Sequence, residues 1–312
     1  MNERKTLQGY VLIFLSGVFW GLGGYFITRM SNTGVSALMT AFTGHFLALL
    51  PLLIYLIVKK GINGLKISRK GLFYSILLGV ITKGFLRLAN DTAVTLVGVS
   101  IASILMYLAP AFTAIISMII FKEKLRGYQH FAVLINLVGC ILMVTGGNFV
   151  NLNISGLGLI LGVISGFLFS LSTIIGKMAT SGDDPETMTF YMLLFSAITM
   201  GIFAKPWQHI ELFTNSTFLF WAFINAISTG LIANILYLKG LSMKVDASKA
   251  TIIASVEVVI ATLSGVLLLN EKVNVVGSIG IIIMLSSIVL MNITIPVKHD
   301  EIIENEAVSA DI

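Results

Sequence analysis

Long apolar segments alternate with short polar segments along almost the whole chain. The apolar segments are about 20 residues long, which is the length that an α-helix needs to cross the ~30 Å hydrocarbon core of a membrane. We therefore predict an all-α integral membrane protein with ten membrane-spanning helices. Their predicted ranges are 9–29, 35–58, 71–91, 97–121, 128–146, 156–177, 187–204, 218–238, 246–269 and 275–295.

One stretch of this pattern occurs twice, at residues 104–143 and 252–291. Each copy holds an apolar helical segment, a short charged segment and a second apolar segment. A constant offset of 148 residues superimposes the copies and aligns Glu123 with Glu271. The chain is therefore predicted to consist of two repeats and a tail. These are a first five-helix repeat over 9–146, a second five-helix repeat over 156–295, and a cytoplasmic tail over 296–312.

The number of spans in each repeat decides how the two repeats are oriented in the membrane. Five is an odd number, so the second repeat is predicted to enter the membrane from the side opposite to the first. Two inverted five-helix repeats, related by an axis in the membrane plane, are typical of alternating-access transporters. The alternative interpretation is that the duplication only reflects how a large membrane protein arose.

Composition and charge agree with a membrane location. Apolar residues make up 56% of the chain and charged residues 11%, whereas soluble proteins carry about a quarter charged residues. Lysine and arginine concentrate in the connections on the N-terminal side of the membrane, which predicts that both termini are cytoplasmic and the protein lies in the cell membrane. The net charge of +5 then reflects this topology. We expect the lipid bilayer as a partner, no nucleic acid, and a monomer or a weak homodimer.

Several short motifs resemble those of the EamA-type ten-helix exporters of the drug/metabolite transporter superfamily. The motifs are Phe19-Trp20-Gly21-Leu22-Gly23 in the first span, Tyr107-Leu108-Ala109-Pro110 in the fourth, Ala254-Ser255-Val256-Glu257-Val258 in the ninth, and the helix-terminal Glu123 and Glu271. The resemblance covers about residues 9–295. It implies a central cavity between two helix bundles, transport driven by protons or by exchange, and small metabolites such as amino acids as cargo.

The chain departs from this family at one position. The family often has a proline after the glutamate of the ninth span, and Val258 stands there in this sequence. The resemblance therefore does not carry over a proline-induced kink at that point.

The third span carries three charged residues, Lys83, Arg87 and Asp91, at four-residue spacing. This spacing stacks them on one face of a helix. A charge at the bilayer centre costs about 2.5–3.5 kcal/mol on insertion scales, so such residues are candidates for function. In one interpretation, Lys83 or Arg87 binds a carboxylate or phosphate of the cargo. In the other, which we favour for Arg87 and Asp91, these two form an ion pair near the outer surface.

Glu257 lies near the middle of the ninth span, where a carboxyl group would suit proton binding and release during transport. It would alternatively be a structural group that hydrogen-bonds a neighbouring helix. A polar stripe on the same span lies about 200° away around a continuous helix, so the two are not expected to face one cavity squarely. We expect this stripe and its counterpart in the fourth span to line the pathway. The stripes are Ser248, Thr251, Ser255 and Thr262, and Ser100, Ser103, Tyr107 and Ala114.

Four aromatic residues of three spans, Trp20, Tyr25, Tyr107 and Tyr237, are candidates for the walls around an organic cargo, and Asn234 is a candidate for orienting it. For each of them, packing is an equally good interpretation. His45 is interpreted as a packing residue rather than a titrating group. The predicted substrate-binding residues are Trp20, Lys83, Arg87, Ser103, Tyr107, Asn234, Tyr237, Thr251 and Ser255, and the predicted coupling residues are Glu257 and Asp91.

The remaining chemistry favours a carrier over an enzyme. The four histidines are scattered, and no phosphate-binding glycine loop is present in the sequence. We therefore predict a secondary transporter without a cofactor or a metal ion. It would export a small metabolite, such as an amino acid or a related zwitterion or anion, across the cytoplasmic membrane by alternating access, driven by proton antiport or by exchange. The alternatives are an efflux carrier for drugs or organic cations, and an uptake carrier of the same fold.

Overall fold

The computed structural model describes residues 2–148, 155–180, 182–270 and 272–293. Glu271, the last two residues of the predicted tenth span and the predicted tail over 296–312 lie outside the described residues. All regular elements within the described ranges are helical. The protein is thus an all-helical chain, as predicted.

Ten helices are labelled in chain order, with short 3₁₀ turns in two of the connections. They are α1 Arg4–Ser31, α2 Ala37–Lys60, α3 Arg69–Met106, α4 Ala109–Ile120, α5 Gly127–Thr145, α6 Gly156–Ala179, α7 Pro185–Ala204, α8 Ser216–Leu241, α9 Ala247–Leu269 and α10 Val275–Asn292. Within the described residues, nine of these are long and apolar enough to cross a membrane, and α4 is shorter.

Side chains placed just before the helices explain where most of them begin. A serine, aspartate or asparagine side chain accepts a hydrogen bond from a backbone N–H in the first turn and so satisfies a donor that has no partner inside the helix. Such N-caps precede α2, α3, α6, α7, α8 and α10, and they are Ser36, Ser68, Ser155, Asp184, Asn215 and Asn274. The polar positions between the apolar segments therefore set the helix starts directly.

The predicted fourth span, 97–121, is not one continuous helix. Helix α3 runs on through Gly98, whose backbone angles of φ 84° and ψ 162° are not helical, and ends at Met106. A short turn at Tyr107 and Leu108 then leads into α4. Glycine tolerates this positive φ because it has no Cβ. The apolar pattern alone does not reveal these breaks, since an apolar run has the same composition whether or not its helix is interrupted.

Similar irregularities occur in the second half of the chain. Helix α9 is interrupted at Ser255, which is related to Tyr107 by the offset of 148 residues. Helices α3 and α8 both contain a π-helical segment, at Leu77–Phe85 and Ala226–Ile232, and the same offset superimposes these two segments. Because π-helical turns occur frequently at functional sites, these two segments indicate where a functional site is expected.

Helices from the two halves of the chain pack against each other. Helix α1 contacts α8 and α9, α2 contacts α7 and α8, α3 contacts α6, and α5 contacts α10. Glycines permit the closest of these contacts, as expected in a membrane, where tight packing replaces the hydrophobic drive. At Gly21 of α1, an added Cβ would lie 2.6 Å from the Glu257 carbonyl oxygen of α9. The α1–α9 contact therefore holds the backbone of Glu257 in place.

Replacement of Gly21 tests this contact. In Gly21→Ala the new methyl group would clash with the Glu257 carbonyl oxygen and with Ile260, so α1 and α9 must move apart. We therefore expect the free energy of unfolding to fall by about 1–3 kcal/mol. Gly24 of the same helix has nothing within 4 Å of the corresponding position, and Gly24→Ala is the matched control. The measurement is the thermal unfolding temperature of each variant in detergent. Equal temperatures for the two variants would contradict close α1–α9 packing.

Candidate functional site

A cavity of about 290 Å³ lies among α1, α2, α3, α8 and α9, with Phe169 of α6 at its edge. It lies beside the second half of α1 and the first half of α2, and therefore on the side of the protein that holds the α1–α2 turn. Five of the residues predicted from the sequence line it. They are Trp20, Lys83, Arg87, Asn234 and Glu257.

Lys83 lies in the π-helical segment of α3 and points into the cavity. Its Nζ atom is 4.8 Å from the centroid of the Trp20 ring, a distance typical of a cation–π interaction. None of the ion pairs among the described residues includes Lys83. The ammonium group is therefore oriented by an aromatic face and is not neutralised by a carboxylate.

Glu257 lies in the first turn after the interruption of α9 at Ser255. Its side chain is partly exposed to the same cavity, and its carboxylate accepts no hydrogen bond from the described residues. No ion pair joins it to Lys83. The cavity thus contains one basic and one acidic side chain that influence each other electrostatically but form no direct ion pair with each other or with another described residue.

Arg87 and Asp91 form the ion pair that we favoured from their spacing. The Arg87 Nε atom lies 2.9 Å from Asp91 Oδ2, and both side chains are partly exposed. Arg87 lines the cavity, whereas Asp91 is absent from its lining. Because Asp91 pairs with Arg87, Lys83 rather than Arg87 is the basic side chain of the lining that belongs to no ion pair among the described residues.

The predicted polar stripes do not line this cavity. Ser103, Tyr107, Thr251 and Ser255 are all outside its lining. The last three instead border a closed space beside Glu257 that has no room for a water molecule. Glu257 and the stripe face different directions, as their angular separation predicts, but Glu257 faces the cavity and the stripe faces neighbouring helices. The stripe hydroxyls are hydrogen-bonded there, Ser255 by the Asn136 amide at 2.9 Å.

Tyr237 also lies outside the cavity, directly behind its wall. Its ring centroid is 4.9 Å from that of Trp20, and its hydroxyl is 2.6 Å from the Thr173 hydroxyl. The Thr251 hydroxyl lies 3.0 Å from the same Thr173 oxygen. These four side chains separate the cavity from the end of the protein where the chain begins.

Two further polar residues of the lining, Asn234 and His45, form hydrogen bonds with protein groups. The Asn234 amide donates hydrogen bonds to the carbonyl oxygens of Thr229 and Gly230, at 2.9 and 2.8 Å. Both carbonyl groups belong to the π-helical segment of α8. His45 lines the cavity, and its Nδ1 atom is 2.8 Å from the Ser196 hydroxyl. This contact agrees with the interpretation of His45 as a hydrogen-bonded packing residue.

Sequence reasoning missed several residues of the lining, among them Thr40, Asn90, Phe169 and Asn225. Asn90 had a usable signal, because it follows Arg87 by three positions on the same helix face. Its Oδ1 atom is buried and has no hydrogen-bond partner among the described residues. The others belong to helices without a charged residue at this depth, so only the packing of the helices brings them to the cavity.

A multi-pass, all-helical membrane protein with a polar central cavity is the class that these features define. Within that class the family is clear, because the model of the EamA-like transporter family matches residues 7–145 and again residues 156–293. The chain belongs to the EamA-like transporter family, which confirms the resemblance noted in its motifs. It is accordingly a membrane transporter.

Relatives of similar length agree with this assignment. An uncharacterized inner membrane transporter, YicL of Salmonella typhimurium, is 26% identical over 308 residues, which cover 93% of this chain and 96% of the relative. An uncharacterized transporter of Archaeoglobus fulgidus is 24% identical over 289 residues, covering 92% of this chain and 97% of the relative. These names place the chain among transporters rather than enzymes.

A crystal structure shares the fold. It superimposes with a TM-score of 0.73 over 94% of this chain and 97% of its own length, at 16% sequence identity. At this identity the likeness establishes a common arrangement of helices.

Asn234→Leu tests whether Asn234 serves the fold. The variant leaves the carbonyl groups of Thr229 and Gly230 without their side-chain donor, so we expect a loss of about 1–2 kcal/mol in stability. Asn292→Leu is the control, since the Asn292 amide donates to the Ile288 carbonyl at an exposed helix end. Thermal unfolding of both variants is the measurement. An unchanged unfolding temperature for Asn234→Leu would instead leave Asn234 as a residue for cargo.

Proposed function

We propose that this protein is a secondary active transporter that exports a small zwitterionic or anionic metabolite, such as an amino acid, by alternating access. The observation that supports it most is the pair of charges in the cavity. Lys83 and Glu257 face one space, and neither forms a direct ion pair with the other or with another described residue. Charged groups away from bulk water are costly unless they are paired, so the cavity favours a cargo that brings both signs of charge.

The chemistry of an α-amino acid fits this arrangement. Its carboxylate would pair with Lys83, its ammonium group with Glu257, and an apolar side chain with the Trp20 ring. A volume of about 290 Å³ is at the lower end of the range for small-molecule sites, which favours a small metabolite. An organic cation, the cargo of the alternative efflux function, would pair with Glu257 and leave Lys83 unneutralised.

The helix irregularities support two inverted five-helix repeats. If residues 99–106, which follow the break at Gly98, are counted with α4 as one span, each repeat has five spans. Interrupted helices at corresponding positions of two inverted halves are the usual place of a transporter's binding site, near the midplane. Tyr107 and Ser255 mark such positions here. The predicted division into repeats over 9–146 and 156–295 follows from the same count.

Export fits the predicted topology. With the N-terminus in the cytoplasm, the cavity beside the α1–α2 turn belongs to the outer half of the membrane. The described conformation would then be the one in which cargo leaves the carrier. An uptake carrier of the same fold remains the alternative, and a monomer or weak homodimer in the bilayer would suffice for either.

Glu257 is our candidate for coupling. A proton and the ammonium group of the cargo would compete for its carboxylate, which is the requirement for antiport. Exchange without protons would need Glu257 only for binding. Asp91 is less suited to coupling than we expected, because it is paired with Arg87 outside the cavity.

The first experiment identifies the cargo. Metabolite profiles of cells with and without the protein are compared, and we expect one amino acid or related zwitterion to accumulate inside the cells that lack it. A depleted metabolite would point to uptake, and an accumulated organic cation would favour the alternative efflux function.

The second experiment uses the identified cargo in proteoliposomes. For Glu257→Gln we expect a loss of at least about tenfold in transport driven by a pH gradient, equivalent to ~1.4 kcal/mol, with cargo exchange retained if the carboxylate serves coupling. Lys83→Met should weaken cargo binding by a similar factor. Glu211→Gln and Lys205→Met, at residues outside the cavity, are the matched controls. Full pH-driven transport by a Lys83→Met, Glu257→Gln double variant would remove both residues from the mechanism.

A further inference from the structure

The carboxylate of Glu123, in the connection between α4 and α5, covers the beginning of α9. It accepts hydrogen bonds from the backbone N–H groups of Ala247 and Ser248, at 2.7 and 3.2 Å, and from the Ser248 hydroxyl at 2.8 Å. The N-terminus of a helix presents unpaired N–H groups and a partial positive charge, so it favours an anion at this position. Glu123 thus joins the first half of the chain to the start of α9.

Lys177 of α6 adds a third element to the same point. Its Nζ atom lies 2.6 Å from Glu123 Oε1, and it lies 4.4 Å from the centroid of the Phe121 ring. The Glu123 side chain is only 8% exposed. Burial by itself raises the pKa of Glu123, but the hydrogen bonds from Lys177 and the Ala247 amide outweigh it and hold the pKa below its usual value. The group is therefore ionised and fully bonded at neutral pH.

Among the described residues, the corresponding positions at the other end of the protein show no such contact. The offset of 148 residues relates Lys177 to Arg29, and Ser248 to Ser100. The Arg29 Nε atom is buried without a hydrogen-bond partner among the described residues. Val99, the counterpart of the fully buried Ala247, is 65% exposed. Glu271, the counterpart of Glu123 in the sequence, lies outside the described residues.

The Glu123 contact lies at the closed end of the pathway. Thr251, one turn along α9 from Ala247, contributes to the barrier between the cavity and the cytoplasmic end through its contact with Thr173. The first half of α9, Ala247–Ala254, is separated from the second half by the interruption at Ser255. A displacement of this short segment would open the barrier without moving Glu257, because Glu257 belongs to the second half.

We propose that Glu123, with Lys177 and Ser248, forms a cytoplasmic latch that must release the first half of α9 before the cavity opens to the cytoplasm. The inference rests on the proposed alternating-access function. Glu123 is a positioning residue in this mechanism, since it touches no part of the cavity and acts through α9.

Cysteine accessibility tests the latch without knowledge of the cargo. Cys140 is the single cysteine of the chain, so Cys140→Ser provides the background. Ala254→Cys reports on the closed space beside Glu257, and Ala41→Cys reports on the cavity. Each reporter is labelled with a membrane-impermeant maleimide in right-side-out and in inside-out vesicles.

With Glu123→Gln, we expect labelling of Ala254→Cys from the cytoplasmic side to rise by about tenfold, because charge-assisted hydrogen bonds that favour the closed end are lost. Labelling of Ala41→Cys from the outer side should fall. Lys177→Met should shift both rates in the same directions while leaving the helix cap intact, and Glu123→Asp should restore part of the wild-type pattern. A protein that is merely unfolded would instead label faster from both sides.

Asp184→Asn is the matched control. Asp184 also caps a helix, at Thr187 N, and also pairs with a lysine, Lys60, near the same end of the protein. We expect it to leave both labelling rates unchanged. Wild-type labelling in Glu123→Gln, or an equal shift in Asp184→Asn, would overturn the latch. Labelling needs no cargo, so it tests the latch independently of the transport experiments. A failure of the transport experiments would overturn the proposed function and would leave the labelling result unaffected.

Discussion

The structure depends on one constraint, which is that backbone N–H and C=O groups inside a membrane must find partners within the protein. Continuous helices meet this constraint without help, and most of the chain consists of them. Departures from a regular helix are tolerated only where protein or a cavity supplies other partners. In this chain the departures include Gly98, Ser255 and the two π-helical segments, and both π-helical segments contribute residues to the cavity lining.

Three of these departures carry or border polar groups of the cavity lining. The π-helical segment of α3 carries Lys83 into the cavity, and the break at Ser255 places Glu257 in the first turn of a new helical segment. A carboxylate near a helix N-terminus is favoured by the helix dipole. Asn234 satisfies carbonyl groups in the other π-helical segment. The site is therefore built from the same irregularities that a membrane helix normally avoids.

Particular residues show how far sequence reasoning reaches. The four-residue spacing of Arg87 and Asp91 was enough to predict their ion pair, because it depends only on local helix geometry. The polar stripe through Thr251 and Ser255 was placed on the pathway, whereas the structure puts it outside the cavity. Its angular separation from Glu257 follows from local helix geometry, but which of the two faces the cavity depends on how α9 packs against its neighbours. Its hydrogen-bond partners, Thr173 and Asn136, belong to helices distant in the chain.

The sequence by itself determined the all-helical membrane class, the approximate positions of the spans, the transporter family and the charged residues worth attention. These follow from the length of apolar runs, from local spacing and from short motifs. Only the tertiary structure decided that Lys83 and Glu257 face one cavity, that Tyr237 lies behind its wall and that Glu123 caps α9. Such contacts join helices that are far apart in the chain, and they depend on helix packing and on breaks within apolar runs.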